Sequence, residues 1–189
     1  MEKIEIIKSI TGRTGGDIYL GVVGAVRTGK STFIKKVIEN LVVPNIEDEY
    51  ARKRALDEIP QSANGKTIMT TEPKFVPNNT AKIKIDDINC NIKLIDCVGY
   101  MINNAIGATD ENGPRMVKTP WYNEEIPFTE AAEIGTEKVI KEHSTIGIVV
   151  TSDGSIGDFQ RSDYIEAETR VIEELKSIQV ELSEKQLEQ

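Results

Sequence analysis

The sequence predicts one α/β domain: a mostly parallel sheet carrying one antiparallel strand, with helices on both faces. Three observations predict it. Apolar runs of strand length alternate with segments of helical periodicity, a glycine-rich turn joins the first strand to a helix, and two neighbouring strand-like runs are close enough for a hairpin. A chain of 189 residues is long enough for one domain with a real core.

In order, Glu2 to Ile10 carries Ile4, Ile6, Ile7 and Ile10 and reads as a short amphipathic helix, broken by Arg13 to Gly16. Asp17 to Val23 reads as a buried strand. From Lys30 to Val43, Phe33, Ile34, Val37, Ile38 and Leu41 recur at helical spacing, and Pro44 is expected to stop that helix. Residues 44 to 79 read as a polar connection containing a functional loop from Gln61 to Pro73. Ala81 to Ile88 and Cys90 to Cys97 read as a hairpin turning at Ile88 and Asn89, and residues 100 to 127, rich in Gly and Pro, as a second long connection.

Thr129 to His143 reads as a helix with Glu130 and Glu133 near its positive end, and Thr145 to Thr151 as a fourth strand. A turn at Asp153 to Asp158 leads to a last helix from Ser162 towards Glu188. Its Ile165, Ile172, Leu175, Leu182 and Leu187 approach heptad spacing, which fits either a short coiled-coil contact or an over-extended helix with a frayed end.

Composition excludes some partners. Against 31 acidic residues there are 23 basic ones, a net charge of −8, and the pI near 4.9 argues against coating nucleic acid or anionic lipid by charge alone. No run approaches the ~20 apolar residues of a membrane span, and the N-terminus does not resemble a signal peptide. Cys90 and Cys97 point to opposite faces of one strand and cannot pair, which fits a reduced, cytoplasmic setting.

The chemistry centres on GAVRTGKS, residues 24 to 31, which satisfies the P-loop pattern after a strand and at the opening of a helix. Gly24 and Gly29 let consecutive amides turn inward, so Gly24, Ala25, Val26, Arg27, Thr28, Gly29, Lys30, Ser31 and Thr32 are the candidates to cradle phosphates. Lys30 supplies a full charge to the β- and γ-phosphates, and Ser31 a hydroxyl ligand for Mg²⁺. The DCVG run at 96 to 99 supplies Asp96 to the Mg²⁺ side and a Gly99 amide to sense the γ-phosphate.

Thr70 and Thr71, in the functional loop, are candidates to complete the metal shell and report the γ-phosphate. Neighbouring side chains of an extended segment point opposite ways, so one coordinates at a time, with Thr71 the favoured ligand. Tyr100 stands where many switch GTPases place a water-orienting glutamine, so hydrolysis is expected to be slow or assisted. Arg27, Arg115 and Arg161 are candidate cations for the developing charge, Arg27 first, though each also fits a solvated or salt-bridged arginine. His143 is expected to cap a helix, and Trp121 to pack a loop onto the core.

The runs TGGDIYLGVVGAVRTGKSTFIKK, PQSANGKTIMTTEPKFVPN, DCVGY, DENGPRM, TPWY, EAAEIGTEKVIKEHSTIG and RSDYIEAE closely resemble the stage IV sporulation protein A family. The resemblance implies a GTPase-like P-loop NTPase domain over residues 1 to 178 that binds ATP with Mg²⁺ and hydrolyses it. It implies that Lys30 and Ser31 act in the loop, that Thr70 and Thr71 sense the γ-phosphate, and that Asp96 is the metal-side carboxylate. It further implies self-assembly into a homopolymer at the outer forespore surface in the mother cell, recruitment by a small amphipathic membrane-bound peptide, and docking of other coat proteins.

Members of the family run longer. The charged, helical segment at residues 179 to 189 departs from their pattern, and the chain is expected to be a fragment whose sheet is incomplete on the C-terminal side. Two rival readings stay open on the sequence: a switch GTPase, for which no N-K-x-D is present, and a catalytically inert structural fragment.

Overall fold

The computed structural model describes residues 3–60, 71–85, 87–102, 105, 107–111, 113–155 and 159–187. The first half contains α1 (Lys3–Thr14), β1 (Asp17–Val23), α2 (Lys30–Val37), α3 (Glu49–Asp57), β2 (Lys74–Ile85) and β3 (Ile88–Asp96). The second half contains β4 (Thr109–Asp110), β5 (Gly113–Pro114), β6 (Met116–Thr119), β7 (Tyr122–Pro127), α4 (Phe128–Lys138), β8 (Ile146–Val149) and α5 (Arg161–Leu187).

Four strands form one sheet in the order β2-β3-β1-β8. Strand β1 runs parallel to β3, with Leu20 opposite Leu94, and parallel to β8, with Val22 opposite Ile148. Strand β2 returns antiparallel against β3, as the hairpin reading expects, but the turn falls earlier: Ile88 and Asn89 already pair with Ile85 and Lys84 as the first residues of β3. Alternation along β1 divides its side chains between two cores. Ile18 and Val22 join Ile34, Ile38 and Leu94 on the face covered by α1, α2 and α3. Val23 and Ile95 join Val139, Tyr164 and Val171 on the face covered by α4 and α5.

Gly21 lets the second face close: a Cβ there would collide with the Ser144 hydroxyl and lie 3.0 Å from Val139 Cγ1. The cysteines divide in the same way, Cys90 into the first core and Cys97 into the second, and both are free thiols.

Several elements differ from the sequence reading, each for a physical reason. Pro44 does not stop the second helix. The chain passes from α2 into a π turn, Ile38–Val42, and then a 3₁₀ turn, Val43–Asn45, whose first turn accepts the proline. Helix α3 lies inside what reads as a polar connection. It is capped by the Asp48 carboxylate, which accepts from the Ala51 N–H at 2.6 Å, and it buries Ala55 alone, so it carries no apolar stripe to betray it.

Strand β2 begins seven residues before Ala81, because a register shift between Val76 and Ala81, around Pro77, interrupts its alternation. Residues 109–127, read as a connection, contain the two hairpins β4–β5 and β6–β7. Helix α4 ends in a second π turn, Val139–His143, and the functional loop reading at Gln61 to Thr70 lies outside the described residues.

Ile34 is fully buried where α2 meets β1 and β3. Ile34→Ala is expected to lower stability by about 2–4 kcal/mol, seen as a lower urea midpoint with an unchanged slope. An unchanged midpoint would remove Ile34 from the core.

Candidate functional site

The residues from Gly24 onward leave the C-terminal end of β1, the end at which open parallel sheets bind ligands. Close approach shapes the loop. Gly24 (φ 150°) lies against the Val150 carbonyl, where any Cβ would clash. The Ala25 carbonyl accepts from both Thr28 Oγ1, at 2.9 Å, and Lys30 Nζ, at 2.5 Å, which curls the loop over its own lysine. Helix α2 then starts after Gly29 with no side-chain cap, leaving its positive end to an anion.

Lys30 is only 5% exposed. Burial pushes its ammonium below the ordinary lysine range, and the Asp96 charge opposes that shift. Ser31 Oγ donates to Asp96 Oδ2 at 2.6 Å, across from the end of β3. Asp96 Oδ1 is buried and has no hydrogen-bond partner among the described residues. A hydroxyl oxygen beside a carboxylate with a spare acceptor is a hard donor set, and it suits Mg²⁺. Burial raises the Asp96 carboxyl above its usual range, against the pull of the Ser31 hydrogen bond and the Lys30 charge.

Gly99 (φ 97°) completes the cluster. A Cβ there would clash with the Gly24 carbonyl and lie 2.6 Å from Lys30 Nζ, so the close approach of this residue to the loop backbone requires glycine. Its N–H donates to Thr136 Oγ1 of α4 at 3.1 Å. The loop, Lys30, Ser31, Asp96 and Gly99 are thus brought together at one edge of the sheet.

Other candidates are placed differently. Thr71 is buried, with its carbonyl 2.7 Å from the position a Cβ of Gly135 would take on α4, and Thr70 lies outside the described residues. Arg27 is exposed on the loop in a left-handed conformation, φ 61°. Arg115 stacks 4.2 Å from the Phe128 ring centroid and donates to the Gly107 carbonyl, while Arg161 binds Glu168 and the Ser152 carbonyl; both serve loop structure. His143 meets Phe75 edge-on at 5.5 Å, and Trp121 packs against Gly135 and Lys138.

Sequence reasoning gave no role to Thr136, which holds the Gly99 amide, nor to Arg170, which stacks on Tyr100, and it gave Glu133 only to the helix dipole, whereas it binds Arg170. They lie on helices remote in sequence, and no local motif announces them. A cavity of about 620 Å³ lies at the opposite end of β1 and is lined by Gly16, Asp48, Arg54, Lys82, Cys90 and Asn91, away from every candidate residue.

With this geometry in place, comparison with known proteins defines first the class: residues 1–182 match the family model described as Stage IV sporulation protein A, ATPase domain. The curated relatives agree. The chain is 69% identical over 179 residues to stage IV sporulation protein A of Bacillus subtilis (strain 168), covering 94% of this chain and 36% of that protein. The Bacillus anthracis protein of the same name is 66% identical over 179 residues, covering 94% and 36%, and that of Clostridioides difficile (strain 630) is 56% identical over 174 residues, covering 92% and 35%.

The chain belongs to the stage IV sporulation protein A family and carries its ATPase domain. It spans about a third of the length of these relatives. No solved structure matches it. No helix among the described residues is long and apolar enough to cross a membrane.

Because burial raises Asp96, the folded chain takes up this proton at a higher pH than the unfolded chain. Stability from this group is therefore full below the ordinary carboxylate pKa and is lost as pH rises through the raised value. Asp96→Asn keeps an acceptor for Ser31 and removes the titration. Thermal melts from about pH 4 to 7 should show a flatter dependence for the variant, and superimposable profiles would overturn the assignment.

Proposed function

We propose that this chain binds ATP with Mg²⁺ on the loop from Gly24 to Thr32 and hydrolyses it slowly, as a P-loop NTPase. The observation that carries the proposal is the convergence of Lys30, Ser31, Asp96 and Gly99 on one curled loop at the end of β1. Lys30 and the loop amides hold the β- and γ-phosphates. A bound Mg²⁺ would be held by Ser31 and Asp96, joined by Thr71, and would neutralise charge on the phosphate oxygens.

Slow turnover is supported by Tyr100, whose ring is buried against Arg170 and so does not reach toward the phosphates to orient water. Arg27, exposed on the loop, is the candidate cation for charge developing in the transition state. Thr70 and Thr71 are the proposed γ-phosphate sensors.

In the longer family protein, this hydrolysis is proposed to drive self-assembly into a basement layer of the spore coat at the outer forespore surface, on the mother-cell cytoplasmic side. A small amphipathic membrane-bound peptide and further coat proteins are its proposed partners. A switch GTPase or a catalytically inert fragment are the outcomes against which this is tested.

The test is nucleotide-dependent thermal stabilisation. A ligand at 100 Kd should add about 2.7 kcal/mol. ATP with Mg²⁺ should produce the shift, GTP should not, and Lys30→Ala should abolish it, while Thr71→Ala should keep the shift but slow phosphate release. A preference for GTP would make this a GTPase-type switch. The inert reading would stand if no nucleotide stabilised the wild-type chain, and turnover surviving in Lys30→Ala would displace the site.

A further inference from the structure

We propose that Arg170 is a positioning residue for the phosphate site: α5 holds the ring of Tyr100, and Tyr100 holds the loop. The proposal rests on the nucleotide-site reading above, and the physical link it describes stands on the geometry alone.

Tyr100 is stitched to the loop by its backbone. Its N–H donates to the Gly24 carbonyl at 3.2 Å, its carbonyl accepts from the Val26 N–H at 2.9 Å, and it forms a parallel bridge with Ala25. Ala25 is the residue whose carbonyl holds the Lys30 ammonium. The neighbouring Gly99 packs its backbone against the loop, its Cβ position facing the Gly24 carbonyl and, at 2.6 Å, Lys30 Nζ. A displacement at residues 99 and 100 therefore reaches the lysine directly.

The side chain of Tyr100 points the other way, between α4 and α5, and is 2% exposed. Arg170 Cζ lies 4.5 Å from the centroid of its ring, in cation–π range. The same guanidinium is fixed by two parallel bonds to Glu133 of α4, each 2.8 Å, a fork geometry that lysine cannot reproduce. Lys141, in the π turn after α4, binds Glu174 of α5 at 2.5 Å and adds a second tie.

Close packing does not do this work alone. A cavity of about 170 Å³, bordered by Met101, Ile102, Ala167 and Arg170, flanks the residues after Tyr100. The arginine stack is what aligns them. Because the Arg170–Glu133 pair is partly exposed, its loss should change global stability little. Its effect is instead concentrated on the orientation of the phosphate loop.

The experiment compares the whole chain with Arg170→Met, Arg170→Lys, Glu133→Gln and Tyr100→Phe. Four quantities are read: amide hydrogen exchange at Val26 and Tyr100 without nucleotide, kcat, KM for MgATP, and the thermal midpoint. Arg170→Met should speed exchange at both amides and lower kcat by roughly tenfold or more, with KM within about twofold and the midpoint nearly unchanged. Arg170→Lys and Glu133→Gln should fall between Arg170→Met and wild type. Tyr100→Phe keeps the ring face that the arginine covers, so amide exchange at Val26 should match wild type.

Wild-type exchange and kcat in Arg170→Met would overturn the proposal, as would a fall in kcat that simply follows a fall in midpoint. If the wild-type chain neither binds nor hydrolyses MgATP, the nucleotide reading fails by itself. The exchange measurement then still judges the link, with faster exchange supporting it and unchanged exchange refuting it.

Discussion

The structure is organised around one buried cation. An ammonium group at 5% exposure is tolerated only where its protons are bonded and opposite charge is near. For Lys30 the Ala25 carbonyl supplies the bond and Asp96 the charge. Every nearby constraint serves that arrangement. The loop must curl tightly enough to bring Ala25 back over the lysine, β3 must deliver Asp96 beside it, and residue 99 must lack a Cβ. The same burial that makes the charge costly to hold makes it strong toward an incoming anion, since little water screens it.

The sheet explains how residues so far apart in sequence meet. Because β1 and β3 run parallel and adjacent, their C-terminal ends deliver the glycine loop and the Asp96 to Gly99 run to the same edge. The antiparallel β2 turns the chain so that β3 can lie beside β1, and adds Val76, Ala81 and Ile83 to the first core. Helices α4 and α5 then close the opposite face from α2, and through Thr136 and Arg170 they touch the site from behind.

Much of this was legible in the residues. Strand β1 was readable in full, from Asp17 to Val23, because its apolar run ends in a glycine turn, and the pairing of a lysine and serine after that turn marked the phosphate candidates. What stayed hidden lacked local signal. Helix α3 buries a single alanine, β2 loses its alternation at Pro77, and the hairpins between 109 and 127 are built from residues whose glycines and prolines read as loop. The contacts around Tyr100 were invisible for a different reason. They depend on how α4 and α5 pack, a tertiary fact that neither helix announces in its own sequence.

The division of the two thiols between the cores carries a practical consequence. Cys97 is buried under α4 and α5, beside the Val22 carbonyl, whereas Cys90 lines the cavity at the far end of β1. A small alkylating reagent that enters this cavity can meet Cys90 first, while Cys97 waits until its helical layer lifts away. The chain therefore contains an internal clock for the detachment of that one layer, with no label to be introduced.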